Sequence, residues 1–246
     1  MDEMANLLNS KYHTVAIYHT KRPVEGTGFL SDEHCCLPGL FFPAAREGKT
    51  ACASRDQLKC SGAWSGLGLG GDVVKESMKI SYSQGTPERP GRRLFADPEC
   101  AAKEFSMVKT YGTPEDYVVC EPVDVAESKG ADIEVVAFLV DPIRMFALAN
   151  MVNFSRRSPG SAVKYVNALA CEQLYALAMA EGESDDPVGI VGLSEFFVRG
   201  FCSPEEMIFS VPHKLYKRIL EDSPRSFLTT DRWKDVVASK SSCCCD

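Results

Sequence analysis

Nowhere in the chain do two cysteines stand in a CxxC pair, so the commonest ligand spacing of zinc and redox motifs is missing. The regular Cys spacing of a small secreted disulfide framework is missing too, and a chain of 246 residues does not need one. The eleven Cys are therefore expected to be free thiols in a reducing cytoplasm. There is no basic stripe: the net charge is -7, and the basic clusters Arg89, Arg92, Arg93 and Arg156, Arg157 are short. This argues against a surface built to neutralise nucleic-acid phosphates. Long hydrophobic runs are absent as well. The longest, Val135 to Val140, is broken by Asp141 and Arg144 and is too short to span a bilayer. The first residues carry Asp2 and Glu3 where a secretory leader carries Lys or Arg, so no export signal is read. The ending Cys243, Cys244, Cys245, Asp246 lacks the aliphatic residues of a prenylation box. A soluble, cytoplasmic protein with neither nucleic acid nor membrane as partner is expected.

What is present suits one large core: 45% of the residues are apolar and 25% charged. A single domain is expected over residues 1–237, with a Pro-, Gly- and charge-rich surface excursion at 83–116 and a flexible Cys-rich tail at 238–246. Strands are read at Thr14 to His19, in TACAS, DYVVCEPV, ADIEVVAFLV, PVGIVG and EEMIFSVP. ADIEVVAFLV is nearly continuous apolar and so central in the sheet. A helix is read in LPGLFFPAAREGK, with Pro43 in its first turn and Gly48 as its stop. Another is read from Asp56 as cap to the glycines of LGLGG, and a third near Glu99 to Lys109. DPIRMFALANM follows with Asp141 as cap and Pro142 at its first position. Val166 to Glu181 and HKLYKRILED complete the set. No repeat of fixed period is seen. Strands alternating with helices predict an α+β (mixed α/β) fold, a mixed sheet with helices packed on it.

The order of these pieces resembles the family called domain of unknown function 169. The resemblance rests on CCLPGLFFPAAREGKTA, CSGAWSGLGLGG, VVAFLVDPIRMFALA, ALACEQLYALA and VRGFCSPEEMIFSVPHKLY, in that order, over roughly residues 10 to 225. It implies similarity to proteins of anaerobic bacteria and archaea and carries no established activity. In some relatives a Cys-containing Gly-rich segment stands where this chain has IVGLSEFFVR.

Several residue sets are candidates for chemistry. Cys36, Cys60 and Cys171 each lie beside a turn or helix of small residues, with His34, Cys35 and Cys52 nearby in sequence. Soft thiolates suit a zinc ion or an iron-sulfur cluster, whereas buried free Cys is also common packing material. Cys36 or Cys60 at a helix start is alternatively a nucleophile or redox thiol. Gly66, Gly68, Gly70 and Gly71 match GxGxxG literally, but they follow a helix instead of opening one, which argues against a dinucleotide site and for a loop lining a pocket. Arg156 and Arg157, amid the serines of NFSRRSPGS, are candidates for an anion, against a plain solvated loop. Ser161 with Lys164 resembles an SxxK pair by chance. Arg199, shortly before Glu205 and Glu206, is read as a structural ion pair or a ligand-orienting group. Phe41, Phe42, Trp64, Phe196 and Phe197 are read as core. The leading reading is a protein binding a small molecule or a metal or iron-sulfur cofactor in a Cys- and Gly-rich pocket, with a role in anaerobic metabolism. The alternatives are a non-catalytic regulatory module and a thiol-dependent enzyme.

Overall fold

Val135 to Val140 is buried at every position and forms the middle strand of seven. A computed structural model of the chain describes residues 1–27, 36–67, 76–109, 111 and 115–238. In chain order the elements are α1 (Glu3–Leu7), β1 (Val15–Thr20), α2 (Leu37–Glu47), β2 (Ala51–Ser54), α3 (Ser61–Gly66), α4 (Glu76–Tyr82) and α5 (Pro98–Phe105). Then follow β3 (Tyr117–Pro122), α6 (Val123–Ser128), β4 (Val135–Val140), α7 (Pro142–Phe154) and β5 (Val163–Lys164). A π-helix (Glu172–Ala176) runs into α8 (Leu177–Gly182), and β6 (Gly189–Gly192), α9 (Phe196–Arg199), β7 (Met207–Pro212), α10 (His213–Asp222) and α11 (Asp231–Val237) close the chain's described part.

The strands lie in the order β2-β3-β1-β4-β7-β6-β5, antiparallel except for the β5 and β6 pair. At the centre Val15 faces Ala137 and Ile17 faces Val135. On its other side Val15 faces Pro122, and Val135 likewise faces Pro212. Both prolines start a helix, α6 and α10.

Side chains alternate across the strands, so the sheet has two apolar faces. Val15, Ile17, Cys120, Val135, Ala137 and Ile208 face α2, α3, the π-helix and α8, burying Leu40, Phe41, Leu174 and Tyr175. Ala16, Tyr18, Val136, Phe138 and Val211 face α7, α10 and α11, burying Leu148, Met151, Ile219 and Trp233. The result is an α+β fold with helices on both faces. A small third cluster joins Met78 and Tyr82 of α4 to Ala101 and Phe105 of α5, beside Leu169.

The local signals hold at several ends. Asp141 accepts the Arg144 amide and Pro142 opens α7. Gly48 ends α2 at φ +65, a left-handed turn that glycine adopts without strain. Other readings need correction. Pro43 lies inside α2, and Pro38 takes the first-turn place. Asp56 sits in a 3-10 turn, and Cys60 caps α3. The helix read at 99–109 is Pro98–Phe105, with Asp97 as its cap. The helix read from Val166 begins later, because the Gln173 amide binds the Val166 carbonyl and the Glu172 carboxylate binds the Leu169 amide, holding that segment out of the helix.

Candidate metal centre

Three elements bring their starts together. Cys36 precedes α2 in extended conformation, with no side-chain cap bond of its own. Cys60 caps α3, its Sγ accepting the Ala63 amide at 3.2 Å. Cys171 immediately precedes the π-helix. The three Sγ atoms lie within 4.8 Å of one another. Cys171 is buried, while Cys36 and Cys60 are half-buried.

Glycine makes this approach possible. A Cβ at Gly66 would lie 2.7 Å from the carbonyl carbon of Cys171 and 2.8 Å from its Cβ, closer than packed atoms sit. The carboxylate of Glu172 fastens the same contact. It accepts the Ser65 hydroxyl of α3 at 2.7 Å and the Leu169 amide at 2.8 Å. Glu172 is fully buried, and burial pushes its carboxyl up to about 7 against the pull of those two hydrogen bonds. No Lys or Arg ion pair reaches it among the described residues. On the far side of Cys171, the Ala170 amide is held at 3.1 Å by Glu195, whose other oxygen takes Tyr82 and Arg92.

The sulfurs share their protons unequally. Hydrogen bonds from Cys171 and Cys36, joined by the amides of Ala63 and Gly62, hold Cys60 far below the ordinary thiol range. Cys171 is held well above it by the bonds it gives to Cys36 and Cys60 and by burial. For Cys36 the bond from Cys171 pulls down, but its bond to Cys60 and burial outweigh that, so its proton is also retained. Of the three, Cys60 is thus the sulfur most readily ionised, and all three must be deprotonated to hold a cation as thiolates.

The other candidates fall elsewhere. His34, Cys35, Gly68, Gly70 and Gly71 lie outside the described residues, as do the side chain of Phe197 and the Cys243 to Cys245 tail. Cys52 is on β2, outside the sulfur group. Arg156 pairs with Asp186 at 2.6 Å and binds the Ser161 carbonyl, and Arg157 is exposed. Lys164 pairs with Glu181 instead of Ser161. Arg199 donates to the carbonyls of Ser203, Pro204 and Glu206; the Glu206 carboxylate goes to Arg46 at 2.6 Å. Phe41 and Phe42 are core, but Trp64 and Phe196 are exposed, at 43% and 67%. Glu172 and Glu195 were missed by sequence reasoning. A signal existed for the first: Glu172 and Gln173 interrupt the apolar string of ALACEQLYALAMA directly after Cys171.

Fold and site define an α+β protein with a clustered trio of cysteines. The chain belongs to the domain of unknown function 169 family, described as uncharacterised ArCR, whose model matches residues 3–222. No curated protein and no solved structure matches it. No helix among the described residues is long and apolar enough to cross a membrane.

Proposed function

We propose that this protein binds a single soft metal ion, zinc in the first instance, through the thiolates of Cys36, Cys60 and Cys171. The observation that carries the reading is the spacing of the three sulfurs, all within 4.8 Å. Bonds of ~2.3 Å at tetrahedral angles set thiolate sulfurs on one ion roughly 3.8 Å apart, a small adjustment from the arrangement present. A four-iron cluster distributes its cysteines over separate irons and so needs wider spacing, which favours the single ion over the cluster. Cys60 is the sulfur most readily ionised of the three, and binding releases the protons the thiols still hold. Glu172 and Gly66 hold the last turn of α3 against the start of the π-helix, which keeps Cys60, at the other end of that short helix, beside Cys171. Three protein ligands leave a fourth position for a small molecule on the half-buried Cys36 and Cys60 side, the arrangement of metal sites that act on ligands.

The test is the metal and sulfide content of protein purified without oxygen, beside a Cys36→Ser, Cys60→Ser, Cys171→Ser variant. About one zinc or iron per chain without sulfide, absent from the variant, is the expected result. Iron with matching sulfide would make the centre a cluster. Metal-free protein that also takes up neither added zinc nor cobalt would overturn the reading.

A further inference from the structure

Cys36 and Cys60 are the half-buried members of the sulfur group, and Cys171 is the buried one. A disulfide requires two sulfurs to close to ~2.05 Å, so one partner must move from its present place. Cys171 is poorly placed to do so, because its backbone is wedged against Gly66 and flanked by the Glu195 bond to the Ala170 amide. Cys36 carries no side-chain cap bond at the start of α2. Cys60 has its sulfur aimed along the amide of Ala63, with Cys36 within reach.

We propose that Cys60 and Cys36 are a hydroperoxide-oxidised pair that forms a reversible disulfide, and that this bond competes with the metal ion for the same two sulfurs. In the first step the Cys60 thiol gives up its proton to water and its sulfur attacks one peroxide oxygen. An S–O bond forms, the O–O bond breaks, and the leaving hydroxide or alkoxide takes a proton from water. Cys60 is then a sulfenic acid. In the second step the Cys36 sulfur displaces that oxygen: the S–S bond forms, the S–O bond breaks, and the hydroxide leaves as water with the Cys36 proton. Two thiols lose two electrons and one peroxide gains them; a dithiol reductant reverses the change. An ion held by three sulfurs keeps only Cys171 after this step and is released. The competition rests on the proposed metal reading, whereas the disulfide does not.

The experiment treats full-length protein, metal-free and zinc-loaded, with one equivalent of hydrogen peroxide, then blocks remaining thiols and maps the peptides by mass spectrometry. The expected result is a Cys36–Cys60 cross-link, a loss of two thiols per chain that dithiothreitol restores, and zinc appearing in solution in step with the cross-link. Cys171→Ser should keep the cross-link, and Cys36→Ser should carry Cys60 on to sulfinic acid. Sulfinic Cys60 with Cys36 present, or a cross-link to Cys171, overturns the proposal. A cross-link in protein that never binds zinc sinks the metal reading and leaves the disulfide. Zinc binding with no cross-link does the reverse.

Discussion

Gly66 presses directly on the backbone of Cys171, where a methyl group would meet the carbonyl carbon at 2.7 Å. That backbone cannot yield as a side-chain tip would. Gly66→Ala should therefore cost about 1–3 kcal/mol of stability, as overpacking does, and lower zinc affinity by about 10–100-fold, as loss of ligand support does. Gly62→Ala is the control, since its methyl would reach the Cys60 sulfur at an ordinary 3.6 Å. Urea unfolding and zinc titration against a chelator read both effects. Equal zinc affinity in the two variants would show that the close approach of α3 does not shape the site.

Glu195 ties the segment before the π-helix to α4 through Ala170, Tyr82 and Arg92. Glu195→Ala leaves buried donors without their acceptor and should cost about 3 kcal/mol, in the range for a broken buried pair. Glu195→Gln retains an acceptor for the Ala170 amide and should cost less. Thermal unfolding of both variants is the measurement; equal losses would show that the charge, and not the acceptor, matters.

Glu206 sets an acid limit. Burial pushes its carboxyl up, but hydrogen bonds from Tyr12, the Ser203 amide and Arg46 outweigh this and hold it below the ordinary carboxylate value of 4.5. A depressed folded value means fewer protons bound in the folded state, so this contribution is present above the unfolded value and lost as pH falls through the folded one. Wild type should exceed Glu206→Gln in stability at pH 7, and the gap should narrow below about pH 4.5. A gap constant from pH 7 to pH 3 would mean that the ion pair contributes nothing.

Asp141 provides a change remote from the sulfurs. It caps α7 through the Arg144 amide at 2.9 Å, and Asp141→Ala should cost about 1 kcal/mol, the usual worth of a cap. Metal content should be unchanged. A fall in bound zinc would tie the opposite face of the sheet to the site.

The parts legible in the sequence were those written locally. Asp141-Pro142 fixes a helix start by its own hydrogen bond, and VVAFLV can only be satisfied between two covered faces. Cys60 and Cys171 were readable because small residues, Gly62 and Ala170, stand close beside them in sequence, and Cys36 because it stands at a helix start before Pro38. The remainder depends on partners distant in sequence. Arg199 and Glu206 look like a local ion pair, yet the carboxylate finds Arg46, 160 residues away. The late start of the π-helix is set by Glu172 and Gln173 reaching back to backbone atoms, which apolar periodicity does not register.

The pairings Val15 with Ala137 and Ile17 with Val135, and the matching Pro122 and Pro212, relate the two halves of the sheet by a pseudo-twofold axis through Ala16 and Val136. Under that rotation α2, which leads into β2, corresponds to the helix leading into β6, so Cys36 and Cys171 are counterparts. Counterparts that touch must straddle the axis. Cys60 and Glu195, each the cap of a short helix after its strand, form the second pair. Where one half of the sheet carries a thiol in the sulfur group, the other carries the Glu195 carboxylate, which braces the Ala170 amide beside Cys171.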